Sequence, residues 1–236
     1  MASIKLIPVI DLKDGVVVHA KYGQRDHYAP IQSVLSKHPD IDSVLNGLLA
    51  LHPFDTLYIA DLNAITKTGN NTEIIHHILK EFPKVTFWID AGYIEPQAFP
   101  RNYIPVLGSE YINKNSASYL AQFHHQCILS LDYGAHGEML GETVLWQESN
   151  YWPNDVILMT LARVGSAQGV ASKELQYFSE AYPHRQFIAA GGVRNMNDIA
   201  VLEKYNVKAI LLASAFHLGA ISAEDLNFEQ KNTPAS

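Results

Sequence analysis

Four aspartates stand where runs of apolar residues end: Asp11 in Pro8-Val9-Ile10-Asp11-Leu12, Asp61 in Tyr58-Ile59-Ala60-Asp61, Asp90 in Trp88-Ile89-Asp90, and Asp132 in Leu129-Ser130-Leu131-Asp132. A lone aspartate after a strand is as often a turn starter or helix cap as a reactive group. Several at one rim are harder to dismiss. Two carboxyls sharing a pocket have their pKa values driven apart, which yields one acid and one base. Positioned proton transfer of that kind contributes on the order of 100- to 10,000-fold in rate. Asp11 and Asp132 are the favoured catalytic pair, because they open the two halves of a weakly self-similar chain. Thr160, ending another apolar run, is a candidate hydrogen-bond donor to the reacting centre.

A second constellation is Ala190-Gly191-Gly192-Val193-Arg194-Asn195. Paired glycines after an apolar strand let backbone N–H groups approach a phosphate, and a following helix adds its positive end. Ala213 and Ser214 are placed to complete such a site. Gly92, with Gly108 and Ser109, would form its counterpart in the first half, and Asp61, Asp90 and Arg163 are further substrate-contact candidates. His19, after Asp11, is suited to binding an anion or shuttling a proton, or else is a solvent-facing edge residue. His76-His77 and His124-His125 fall on expected helices away from the site, and no His-Glu-x-x-His spacing announces a metal. Neither a metal nor a cofactor is expected.

Positioning these groups at one rim requires a particular set of elements. Eight nearly continuous apolar runs occur at residues 4–10, 56–60, 85–89, 103–107, 127–131, 156–160, 186–190 and 209–212. Such runs suit parallel strands buried on both faces. Amphipathic helices are expected over 41–51, 72–82, 116–125, 173–181 and 197–204. Alternating strands and helices imply right-handed βαβ units, and eight of them close an α/β (β/α)8 TIM barrel whose site lies at the strand C-termini. Prolines 96, 100 and 105 leave room only for a short third helix. Residues 133–155 carry no helical stripe, and a small hairpin is expected around 143–146. The barrel is read as one domain over residues 1–224, with a polar tail at 225–236 that frays. The recurrence of Asp90-Ala91-Gly92 and Val106-Leu107-Gly108-Ser109 as Ala190-Gly191-Gly192 and Leu211-Leu212-Ala213-Ser214 points to two half-barrels.

Composition narrows the function classes. The chain has 236 residues, 47% hydrophobic and 17% charged, enough for one large core. A net charge of −7 argues against nucleic acid, which demands clustered Lys and Arg. The single cysteine, Cys127, permits no internal disulfide and fits a reducing cytoplasm. Neither a signal peptide nor a membrane span is expected. The expected partner is a small phosphorylated molecule, and the expected assembly a monomer or weak homo-oligomer.

Together these motifs resemble the ribotide isomerase and cyclase family of histidine biosynthesis (the HisA and HisF barrels, of ribulose-phosphate-binding type). The resemblance rests on Ile7-Pro8-Val9-Ile10-Asp11-Leu12-Lys13-Asp14-Gly15, Tyr58-Ile59-Ala60-Asp61-Leu62-Asn63-Ala64, Leu129-Ser130-Leu131-Asp132 and Ala189-Ala190-Gly191-Gly192-Val193, and runs from Ile4 to Gly219. It implies an Amadori rearrangement of an aminoaldose ribotide, with Asp11 as base, Asp132 as acid and Thr160 in support. It also implies one phosphate of a bisphosphate in each half-barrel. This chain departs from the family pattern at four places. Asp90-Ala91-Gly92 replaces three glycines, Ala213-Ser214 replaces Gly-Arg, Gly165-Ser166 replaces Asp-Gly, and His19 replaces a basic residue. Alternatives implied are a divergent member working on another (mono)phosphorylated substrate, in pterin or one-carbon cofactor biosynthesis, a cyclase or lyase, and a binding barrel without catalysis.

Overall fold

A computed structural model of the chain describes residues 4–20, 24–112, 115–123, 126–134, 136–164, 172–205 and 207–232. Nine strands form one sheet: β1 (Lys5–Lys13), β2 (Val16–Val18), β3 (Thr56–Asp61), β4 (Thr86–Asp90), β5 (Tyr103–Gly108), β6 (Ile128–Tyr133), β7 (Asp155–Thr160), β8 (Gln186–Ala190) and β9 (Val207–Leu212). All pair in parallel except β2, and β1 pairs with β9 to close an eight-stranded barrel. The expected (β/α)8 architecture is therefore present. The short strand β2 folds back antiparallel on the end of β1, matching Asp11 with Val18. Periodicity gave no signal for it.

The helices are α1 (Ile41–Leu51), α2 (Leu62–Thr66), α3 (Thr72–Glu81), α4 (Ser116–Ala121), α5 (Thr143–Gln147), α6 (Ser172–Ala181), α7 (Met196–Leu202), α8 (Ser214–His217) and α9 (Ala223–Asn232). In α1 the buried residues Ile41, Val44, Leu45 and Leu48 follow the helical repeat, and the Asp40 carboxylate caps the Ser43 amide. Helix α3 buries Ile75, Ile78 and Leu79 on the same logic. Residues 91–102 contain no helix, because prolines at 96 and 100 remove amide donors. The hairpin expected at 143–146 is instead helix α5, and the antiparallel bridge joins Tyr133 to Met139. Trp152, fully buried, donates from its indole to Leu145 O at 2.6 Å and packs on Phe178, Tyr182 and Phe187. These rings cover the barrel where a full fifth helix would lie. Helix α9 occupies most of the stretch expected to fray.

Every barrel strand is buried on both sides, and alternation divides its residues into two layers. Ile7, Tyr58, Trp88, Val106, Ile128, Ile157, Ile188, Ala209 and Leu211 fill the barrel interior. Ile10, Leu57, Ile59, Phe87, Leu129, Leu158, Phe187 and Ile210 pack outward among the helices. No helix among the described residues is long and apolar enough to cross a membrane.

Candidate functional site

The same alternation decides which strand-end residues meet. Tyr58 and Ala60 belong to the inner layer, as do Trp88 and Ile128, so Asp90 and Asp132 lie on the inner face, and Asp11 follows Ile7 and Val9 there. In register, Asp11 is matched with Ala60 and Ala60 with Asp90. Strands β1 and β6 are four strands apart in either direction round the barrel, so Asp11 and Asp132 project from opposite walls. All three aspartates line a cavity enclosing about 1210 Å³ of empty space, its open mouth included. Arg25, Tyr58, Glu110, Gly191, Gly192 and Ser214 line it as well.

Asp132, only 4% exposed, is held from several directions. Ser130 Oγ donates to Oδ1 at 2.6 Å, while Ser109 Oγ and the Glu110 amide donate to Oδ2, each at 3.3 Å. Burial nevertheless lifts its pKa to about 7, the Ser130 bond opposing and the Glu110 and Asp90 charges assisting. Burial lifts Asp11 to about 7 too; the Arg25 guanidinium pulls it back and Asp90 pushes it up. Asp90 is raised to about 6 by burial, with the Gly92 amide and the Tyr58 hydroxyl holding it down. Arg25 extends from the first connection and binds Glu110, beyond β5, at 2.6 Å; the Tyr111 hydroxyl donates to the same carboxylate. Near neutral pH the cavity therefore holds carboxyls that can each give or take a proton.

The opposite wall is built from backbone. Gly191 and Gly192 adopt φ values of 96° and 87°, a region that favours glycine, and a Cβ on Gly191 would lie 3.0 Å from the Thr160 carbonyl. Among the described residues no acceptor takes the N–H of Gly191 or Gly192. Asn195 caps α7, and Arg194 is drawn to Asp198 at 2.7 Å. His19 Nε2 lies 3.2 Å from Ser214 Oγ at the start of α8. The counterpart amides in the first half are occupied. Gly92 N donates to Asp90 Oδ1 at 3.0 Å, and the residues after β5 serve Asp132.

Not every expected site residue reaches the cavity. Asp61 projects from the other face of β3, 1% exposed, and accepts from Ala64 N, Asn71 N and Asn71 Nδ2. Asn71 and Asn63 then bond the turn at Asp14 and Gly15, so this network fixes the end of β1. In β7 it is Met159 that lines the cavity, and alternation sets Thr160 on the opposite side. Gly108 packs against Asp132, and Ser109 is fully buried beneath it. Arg163 is half-buried in the 3-10 turn after β7. Gly165, Ser166, His124 and His125 lie outside the described residues. His76 and His77 are exposed on α3, with His77 bonded to Asp42. Sequence reasoning missed Arg25, Glu110, Tyr58 and Ser130. For Tyr58 and Ser130 the signal was present: each is a polar residue two positions before a strand-end residue on the inner face.

The chain is 28% identical to an uncharacterised protein of Methanocaldococcus jannaschii, covering 94% of this chain and 97% of that one. It is 25% identical to a phosphoribosyl imidazole-4-carboxamide isomerase of Nitrosopumilus maritimus, covering 94% and 98%. A protein of the same name from Psychrobacter cryohalolentis is 24% identical over 92% and 93%. The model of the histidine biosynthesis protein family matches residues 5–222. With that match spanning nearly the whole barrel, the chain belongs to the histidine biosynthesis protein family.

Proposed function

We propose that this protein is an acid–base isomerase acting on a sugar phosphate that carries one phosphate group. Asp132 acts as the acid that protonates the ring oxygen and opens the ring, and Asp11 as the base that removes the proton from the second carbon. The electron pair moves into an enol, which collapses to the ketose as the proton returns. Two carboxyls with pKa values of about 7 on opposite walls suit this division, since each is present in both forms near neutrality. The names of the isomerase relatives support the reaction class.

One observation carries the single phosphate: the amides of Gly191 and Gly192 have no acceptor among the described residues, while Gly92 N is held by Asp90. A phosphate oxygen about 4 Å from an ionised carboxylate would be repelled by about 4 kcal/mol at the effective dielectric of a partly buried site. Ser214, which lines the same cavity as the glycine pair and lies 3.2 Å from His19 Nε2, would serve as a further anion ligand. The second reading is the bisphosphate-using isomerase itself, favoured by the two isomerase relatives that match over the full barrel.

The experiment is turnover of the aminoaldose ribotide by purified protein, run beside competition binding of inorganic phosphate, sugar monophosphates and sugar bisphosphates. Monophosphates that bind as tightly as bisphosphates, with no ribotide turnover, support the first reading. Turnover abolished in both Asp11→Asn and Asp132→Asn establishes the second. Where turnover is found with any substrate, its pH profile should be a bell with a maximum near 7, and an optimum at about pH 4 would remove these aspartates from the roles assigned.

A further inference from the structure

The wall opposite the glycine pair has the chemistry of a pocket for hydrogen-bond donors. Strand β4 stands four strands from β8 in either direction, so Asp90 faces the Gly191–Gly192 turn across the mouth. Asp90 accepts from the Tyr58 hydroxyl and the Gly92 amide, each at 3.0 Å, so its own oxygen fills the place an anion would take. Asp11 is matched through Ala60 to the same level of the barrel, and Glu110 and Asp132 line the cavity with them. Against these four carboxyls stands Arg25, already bound to Glu110. Among the described residues no three His, Cys, Asp or Glu side chains are grouped to hold a metal ion. The remaining lining is largely apolar and includes Leu62 and Ile65. An organic cation therefore fits this wall better than a bare ion.

We propose that this wall receives an amino group of the substrate and that Asp90 is the residue selecting it. The inference rests on the reading of the Gly191–Gly192 turn as the phosphate end. A molecule with a phosphate at one end and an amine at the other would then span two walls of opposite character. A bound cation at Asp90 would favour the ionised form of Asp11, its neighbour across Ala60 and the proposed base, because an opposite charge nearby lowers a carboxyl pKa.

The test is titration calorimetry with a graded series of ω-aminoalkyl phosphates against the matching ω-hydroxyalkyl phosphates, at about pH 8, where the carboxyls are ionised. The amines should bind on the order of tenfold more tightly than the alcohols, as a charge-assisted bond does over a neutral one. Asp90→Asn keeps an oxygen for the Gly92 amide and should erase that preference while inorganic phosphate binds unchanged. Asp90→Gly, which frees the amide, should gain affinity for α,ω-bisphosphates, and it serves also if the asparagine protein fails to fold. Equal binding of amine and alcohol, or a preference that survives both substitutions, overturns the proposal. Alkylamines and alkanols without phosphate probe the acidic wall alone. If inorganic phosphate fails to bind but an Asp90-dependent amine preference persists, the phosphate reading falls and the role of Asp90 stands.

Discussion

Asp132 and Ser109 illustrate how a buried carboxyl is kept in a usable position. Ser109 Oγ accepts the Asp132 amide at 2.9 Å and donates back to the Asp132 carboxylate at 3.3 Å. Had Ser109 been a phosphate ligand, its hydroxyl would matter only with substrate bound. As placed, it satisfies a buried N–H in the free protein, and leaving such a group unpaired costs about 1–3 kcal/mol. Ser109→Ala should therefore destabilise the free protein by about that amount in urea unfolding. An unchanged midpoint would return Ser109 to the ligand role. At this scale the sequence showed the aspartates but not their directions. Asp11, Asp90 and Asp132 share the inner face, whereas Asp61 is on the other parity and was drawn into a cap with Asn71. Arg25 and Glu110 are separated by 85 residues, and their pairing depends on two connections whose paths no local pattern encodes.

Elements were easier to read than residues, because a barrel strand must be apolar on both faces and a covering helix on one. Helix α1 matches its expected bounds of residues 41–51, with Asp40 supplying the cap. Strand β2 escaped notice because its three residues are too few to show a period. The fifth connection escaped because aromatic packing around Trp152, rather than a helical stripe, covers the strands. Helix α1 also shows where propensity and packing oppose each other. Gly47 is helical, and alanine there would gain about 1 kcal/mol in intrinsic propensity. Its Cβ, however, would lie 2.3 Å from the Leu35 carbonyl oxygen, a backbone atom of the connection that precedes the helix. Relieving that contact means moving the connection, and overpacking of this kind costs about 1–3 kcal/mol. Gly47→Ala should therefore lower the melting temperature, and a rise would mean that the segment before α1 yields freely.

For the molecule as a whole, the consequence of gathering carboxyls at one rim is a stability that depends on pH in an unusual sense. A carboxyl tied to a cation, such as the buried Asp198 with Arg194, has its pKa lowered and contributes stability that is lost on acidification. Asp11, Asp90 and Asp132 work in the opposite direction. Their folded pKa values are raised by burial to about 7, 6 and 7, so between about pH 4 and 7 the native state holds protons the unfolded chain has released. These three groups therefore lower stability as pH rises through that window, outweighing His217, whose pKa burial lowers to about 4 and which contributes in the opposite sense. Asp11 isolates the effect, since its carboxyl lines the cavity and its pKa responds to burial before any partner. Asp11→Asn removes the charge and keeps the shape. It should change stability little near pH 4 and raise it progressively toward pH 8, where the gain is on the order of 3 kcal/mol. For a chain of this length that corresponds to roughly 6–12 °C in melting temperature. Urea unfolding of both proteins near pH 5 and pH 8 decides the matter. A gain that grows with pH means that the fold tolerates an unfavourable charge at the rim; an identical difference at both values would mean that water reaches Asp11 and that its proton affinity is ordinary.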